Sequence, residues 1–445
     1  MSRKHKNCGI RFRNGNMHFT SSFRKVFASQ YALQIVKTSC TKSYEGKKES
    51  KKRNLPRFWV NDYLKERRSK GRFFTDFADM RKTPTVFKEN FRMNPERFDV
   101  LHELVREKLQ PHAETRPDDS ITSDERLAVT LEFLASGTLL RHLASCYRIS
   151  KQHLGKIIEE TCDAIISALS KESLPYFTEV ANRYNERWNM PNCIGSIDGK
   201  HCAIKCPGKA GSIFYNYKGF HSLVLMGVAD ADYKFMYFDV GAYGSEGDSG
   251  VFKNCEFGKA LNEKRLDLPP SRIVHGKLIP LYFVADDAFP LAKHIQKPFK
   301  PPSKYKTLPE DERIFNYRLS RARRTIENAF GILCVRWLCL ARTMFVGPDR
   351  AQKVITACCL LHNYLTTVDK NEYVPQGFSD TVLENGSIVD GYWRTRIPPN
   401  SMFRDEEGLS SGGRLPENAK LIREHLKNYL NSEQGSLSWQ NNLFK

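Results

Sequence analysis

Asp198, Asp286 and Glu327 are the side chains whose types and spacing best fit a chemical task. Asp198 follows the apolar run Cys193–Ile197, and Asp286 follows the apolar run Leu281–Ala285. Glu327 lies inside a long helical stretch further on. Two carboxylates at adjacent strand ends and a third from a helix can converge on two divalent ions. Such ions sit about 3.5–4 Å apart and clamp the attacking and leaving oxygens of an in-line phosphoryl displacement. Oxygen-only ligands suit Mg²⁺, with Mn²⁺ as a substitute. The same acids also have a plainer reading. An acid after a strand can cap a helix, and Glu327 has Arg323 and Arg324 at helical spacing for an ion pair.

The elements that must position these acids follow from the hydrophobic pattern. From about residue 190 the texture is that of strands: Cys193–Asp198, Cys202–Cys206, Phe220–Ala229 and Phe235–Gly241, the last two joined by Asp230-Ala231-Asp232 as a hairpin turn. Asp248 reads as the cap of a helix running through Ala260. Leu281–Ala285 is a buried strand, Asp311–Trp337 one long helix, and 351–366 another. This order describes an RNase H-like nuclease domain over about 190–366. Residues 367–445 read as a polar C-terminal tail with a late helix near 415–431.

Upstream, residues 56–175 read as an all-α domain. Asn94-Pro95 starts a helix with Phe98, Leu101, Leu104 and Leu109 as its apolar positions. Ser123-Asp124 caps a helix that Gly137 breaks; a short helix with Leu140, Leu143 and Tyr147 follows, then a turn at Ile149-Ser150 and a third helix. Helix, break, short helix, turn and helix over about 123–166 is the pattern of a helix-turn-helix DNA reader, which an ordinary three-helix bundle shares. Lys151, Gln152 and His153 then stand where base edges are contacted.

Charge points the same way. The net charge is +20, from 70 Lys and Arg against 50 Asp and Glu. Residues 1–55 are the most basic part, with Glu45 and Glu49 as their only acids, and they include the import-type cluster Lys47-Lys48-Glu49-Ser50-Lys51-Lys52-Arg53. They read as a basic, disordered arm, and a polyanionic partner, DNA first, is expected. Nuclear localisation is expected, with the cytoplasm as the second choice. The acid-free first 44 residues also fit a mitochondrial transit peptide. No apolar run is long enough for a membrane span, so no membrane partner is expected. The 12 cysteines are too sparse for a disulfide scaffold. Cys193, Cys202 and Cys206, and Cys358, Cys359 and His362, lack zinc spacing and read as buried side chains.

Several short motifs carry a family resemblance. Ile194-Gly195-Ser196-Ile197-Asp198-Gly199-Lys200-His201 resembles the first motif of PIF/Harbinger transposases and their domesticated nuclease relatives. Gly244-Ser245-Glu246-Gly247-Asp248-Ser249 is similar to the family's loop before its insertion helix, and Ala285-Asp286-Asp287-Ala288-Phe289-Pro290-Leu291 to its second acid motif. Phe315-Asn316-Tyr317-Arg318 with Arg321 through Gly331 resembles its third. Phe91-Arg92-Met93 and Ser438-Trp439-Gln440 are also similar, so the resemblance covers about 57–445.

The resemblance implies a metal-dependent DNA endonuclease or transposase of the DDE type. Asp198, Asp286 and Glu327 are then the catalytic metal ligands for two Mg²⁺ or Mn²⁺ ions. The family often has Gly before the second acid and Ser after it, where this chain has Ala285 and Asp287, so Asp287 competes for the assignment, with Asp286 favoured. The resemblance also implies self-association and a separate Myb-like partner protein. His201 can orient phosphate or make a structural hydrogen bond. Arg321, Arg323 and Arg324 can contact phosphates or form helix-surface ion pairs. The competing reading is a domesticated, catalytically silent DNA- or chromatin-binding protein; an RNase H or junction resolvase shares the fold.

Overall fold

The computed structural model describes residues 61–110, 120–170, 177–301, 303, 306–396 and 416–442. The basic arm 1–55 and its import-type cluster lie outside the described residues.

A run of short helical turns over 62–91 leads into α1, Pro95–Leu109. Asn94 caps α1 by accepting from the Arg97 N–H, and Pro95 takes the first helical position, where its missing donor costs nothing. Its buried stripe is Phe98, Leu101, Val105 and Leu109. Leu104, expected inside, is 51% exposed, because one residue's shift along the helix turns a side chain by about 100°. Phe98 joins Phe77, Phe87 and Phe91 in a ring cluster with centroids 4.5–5.8 Å apart.

Three helices follow: α2, Ser123–Ser136; α3, Leu140–Tyr147; and α4, Lys151–Leu169. The N-cap of α2 is Thr122 rather than the expected Ser123-Asp124, and no side chain caps it. Gly137 ends α2 in the left-handed conformation at φ +61°, where a Cβ would also lie 2.8 Å from the Leu338 carbonyl oxygen. Ser150 caps α4 by accepting from the His153 N–H. α5, Phe177–Trp188, leads into the sheet.

The main sheet has five strands: β1, Cys193–Ala203; β2, Ser222–Ala229; β3, Phe235–Tyr243; β4, Tyr282–Ala285; and β5, Ile295–Gln296. Their order is β3-β2-β1-β4-β5, with β1, β2 and β3 antiparallel in turn and β1, β4 and β5 parallel. The expected hairpin at Asp230-Ala231-Asp232 is present, and Asp230 accepts from the Asp232 and Lys234 N–H groups to hold it. Cys193–Asp198 and Cys202–Cys206 are not separate runs: β1 continues unbroken from Cys193 to Ala203. The expected helix after Gly247 is split at Cys255 into α6, Asp248–Asn254, and α7, Glu256–Asn262.

The long helix α8, Glu310–Arg336, packs on β1, β2 and β4, and α9, Pro348–Val368, packs on β2 and β3. The last described helix is α10, Glu417–Leu430. One buried apolar cluster runs from Phe77 through the sheet to Leu430, so the helical part and the sheet share a continuous core. α4 meets α9 with ion pairs as well: Glu159 with Arg350 at 3.1 Å, and Lys353 with Glu159 at 2.9 Å and Asp163 at 2.7 Å. Such partly buried bridges fix the mutual setting of the two helices more than they add stability.

Ten cysteines among the described residues are free thiols. Cys358, Cys359 and His362 are buried in α9, and His362 Nε2 lies 2.8 Å from the Tyr233 carbonyl oxygen, consistent with a structural set. No described helix is long and apolar enough to cross a membrane.

Candidate active site

β1 pairs with β4 up to Ile197 and Ala285. Asp198 is the next residue on β1, and Asp286 is the first residue past the end of β4. Asp198 does not end β1, as the sequence suggests; it lies where the parallel pairing with β4 stops, while the antiparallel pairing with β2 continues. The apolar run before Asp198 marks the end of one partnership, not of the strand.

Glu327 arrives from α8. Asp198 stands opposite Gly227 on β2, so both point to one face of the sheet. A Cβ on Gly227 would meet Phe330 at 3.0 Å and Ile326 at 3.2 Å, so the missing side chain admits α8 at this level. The Ser196 hydroxyl donates to the Arg323 carbonyl oxygen at 3.0 Å and ties β1 to the same turn of α8. Arg323 then bridges two acids, with Nη1 at 3.7 Å from Asp198 Oδ2 and Nη2 in close contact with Glu327 Oε1. The side chains of Asp198 and Glu327 are each 14% exposed.

Asp248 belongs to this group. It was expected to cap α6, but the N-cap is Gly247 and no side-chain capping bond forms. Its carboxylate instead lies against β1, where a Cβ on Gly199 would be in direct collision with it. Asp248 Oδ1 is buried without a hydrogen-bond partner. The cap signal at Asp248 is local; the glycine after Asp198 is the signal in the sequence that another group comes close.

The electrostatics are those of crowded carboxylates. Burial pushes Asp198 well above the ordinary Asp range; Arg323 opposes this, and Asp286, Asp248 and Glu327 add to it. Burial raises Asp286 as well, against Arg323 and a hydrogen bond from the Ala288 N–H. Burial and the neighbouring Asp286 push Asp248 up to about 6. Asp287 is turned elsewhere: Lys297 stands 3.3 Å away, and Lys300 pairs closely with it.

The other expected residues scatter. His201 Nδ1 lies 2.9 Å from the Ser222 hydroxyl, and burial with nearby Lys218 and Lys200 pushes its pKa down to about 4, so the ring is neutral and structural. Arg321 is buried under the Trp439 ring at 4.7 Å, away from the acids. Arg324 pairs with the buried Asp380 at 3.1 Å, and Arg394 binds the same carboxylate. Both Arg323 and Arg324 thus stand in ion pairs, the alternative their sequence positions left open. Lys151, Gln152 and His153 are exposed at the start of α4.

The donor set fits a hard divalent cation. It is all carboxylate oxygen, burial and then the neighbouring acids raise the pKa values of Asp198 and Asp248, and it includes the orphaned Asp248 Oδ1. Among the described residues, no three His, Cys, Asp or Glu side chains form a ready-made metal cage. Arg323 is the internal counter-charge between Asp198 and Glu327, and Arg394 Nη2 stands 3.8 Å from Glu327 Oε2 as a second one.

Comparison with known proteins adds an independent line. Residues 197–363 match the family described as DDE superfamily endonuclease. Protein ALP1-like of Arabidopsis thaliana is 27% identical over 303 residues, covering 64% of this chain and 72% of that protein. The Arabidopsis protein named Antagonist of like heterochromatin protein 1 is 26% identical over 342 residues, covering 72% and 82%. A human protein named "Putative nuclease HARBI1" is 23% identical over 259 residues, covering 56% and 69%. No solved structure matches.

Proposed function

We propose that the chain, whose residues 197–363 match the DDE superfamily endonuclease family, is a metal-dependent DNA endonuclease related to the Harbinger-transposase-derived nucleases. The observation that carries the reading is the level match of Asp198 and Asp286 on parallel strands with Glu327 facing them from α8. The sheet order and these positions support an RNase H-like domain. Asp198, Asp286 and Glu327 would hold the cations, with Asp248 as a fourth acid. Two divalent ions, Mg²⁺ or Mn²⁺, would supply charge neutralisation at the scissile phosphate and activation of the attacking water. The carboxylates must be ionised to bind them, so the raised pKa values of Asp198, Asp286 and Asp248 set a lower pH limit for the work. Arg323, once released from Asp198 and Glu327, is positioned to take a phosphate oxygen.

α2, α3 and α4 read as a helix-turn-helix, with Lys151, Gln152 and His153 at its reading end. DNA is the partner, nuclear localisation follows from the import-type cluster, and self-association with a Myb-like helper completes the reading. A second reading has its own support: one relative is named for antagonism of a heterochromatin protein. In that reading the chain is a domesticated, silent DNA- or chromatin-binding protein.

Nicking of supercoiled plasmid by purified full-length protein separates the two. The nuclease reading expects nicks with Mn²⁺ or Mg²⁺, none with EDTA, and none from Asp198→Asn. A wild-type protein that binds the plasmid and never nicks it, with transposon-end DNA also tried, overturns the nuclease reading in favour of the silent one.

A further inference from the structure

Away from the acids, a groove of about 740 Å³ lies between α3 and the segment after α8. Its walls are Arg141, His142 and Ser145 from α3, Gly137 to Leu139 before it, and Arg342, Thr343 and Phe345 opposite. No acid lines it. Arg141 and Arg342 are exposed and make no ion pair or side-chain hydrogen bond with any described residue. That is unusual in this chain, where Arg67, Arg81, Arg97, Arg126 and Arg350 are all paired with carboxylates. Phe345 is 63% exposed and Leu139 50%, although a large apolar side chain gains by burial.

The groove is rigidly tied to the catalytic sheet. The Met344 N–H donates to the Ala203 carbonyl oxygen at 2.9 Å, and the Lys205 N–H donates to the Met344 carbonyl oxygen at 3.0 Å. Met344 thus docks on the far end of β1, the strand that carries Asp198. Four residues of strand, or five steps of about 3.3 Å, separate Asp198 from Ala203. On the other wall, Gly137 packs against the Leu338 backbone. Both walls are therefore fixed by backbone contacts rather than by side chains alone.

We propose that this groove is a second nucleic-acid contact, in which Arg141 and Arg342 take backbone phosphates and Phe345 takes the face of a base or sugar. The chemistry is specific to that ligand class. Two unpaired guanidiniums fit phosphate oxygens, the hydroxyls of Thr138 and Thr343 add neutral donors, and one exposed ring supplies a stacking face. An apolar peptide would leave both arginines unmatched. The choice of DNA as the occupant rests on the nuclease reading; the existence of a basic, acid-free groove does not.

The test is DNA binding by the full chain in EDTA, followed by fluorescence anisotropy over a range of salt concentrations. An Arg141→Ala/Arg342→Ala double variant is predicted to weaken duplex binding and to lower the slope of log Kd against log salt by about 1.8, the value for two phosphate contacts. Phe345→Ala is predicted to weaken binding of a single-stranded oligonucleotide about fivefold or more. All three positions are exposed, so the fold is expected to survive; unchanged thermal melting checks this. Wild-type affinity and slope in both variants overturn the proposal. So does retained DNA binding with lost binding of poly-L-glutamate, which would mark the groove as a site for acidic polypeptide. Because the assay contains no metal, a protein that never nicks DNA but shows the slope change sinks the nuclease reading and leaves the groove standing.

Discussion

Asp198 and Asp286 stand at one level on neighbouring parallel strands, each immediately after the Ile197–Ala285 pair. The backbone of Asp198 is set by its pairing with β2, and Asp286 follows directly on the last paired residue of β4 and accepts from the Ala288 N–H. Their mutual repulsion is offset in this state by Arg323. A bound cation should offset it better. Mn²⁺ at about ten times its Kd is expected to stabilise the protein by about 1.4 kcal/mol, a rise in melting temperature of a few degrees. Asp198→Asn and Asp286→Asn should lose that rise in a thermal-shift titration. An equal rise in wild type and both variants would place the ion elsewhere.

Asp248 offers a test with a defined sign. Its folded pKa is pushed up to about 6 by burial and by Asp286, above the ordinary Asp value. The ionised carboxylate therefore costs stability. That cost is absent below the unfolded pKa, grows as pH rises between the two values, and is complete above about pH 6. Asp248→Asn should stabilise the metal-free protein by about 1–2 kcal/mol at pH 8, and the gain should vanish towards pH 4. In the same variant, Mn²⁺ affinity should fall. A variant that is less stable than wild type at pH 8 would show that Asp248 is a structural acceptor.

Arg323 competes with any cation for Asp198 and Glu327. Removing it should leave the acids less neutralised and bind Mn²⁺ several-fold more tightly, read by isothermal calorimetry. The same Arg323→Ala variant should need more DNA for half-maximal nicking, since it lacks a phosphate ligand. Unchanged Mn²⁺ affinity would mean that the guanidinium does not occupy the cation's electrostatic place.

The arm 1–55 carries most of the net positive charge. Deleting it should flatten the salt dependence of DNA binding by more than the groove variants do. An unchanged slope would show that the arm does not touch DNA.

Much of this was legible in the residues. The β2–β3 hairpin, α8 and α9 stand within a few residues of their expected bounds, because long apolar periods and a turn rich in Asp are local signals. The caps at Asn94 and Ser150 were legible for the same reason. Asp248 was not. Its identity as a first-turn acid is local, but its approach to Asp198 depends on Gly199 and on a loop that returns α6 to β1. Nor could spacing separate Asp286 from Asp287; Lys297 and Lys300, which hold Asp287, come from a segment beyond β4. The groove at Arg141 and Arg342 was equally hidden, because its two walls are about 200 residues apart in the chain.

The most direct test of the central claim is plasmid nicking in Mn²⁺ by wild type, Asp286→Ala and Asp287→Ala side by side. The account predicts nicking by wild type and by Asp287→Ala, with none from Asp286→Ala. Nicking that survives Asp286→Ala, or that is lost only in Asp287→Ala, would contradict it.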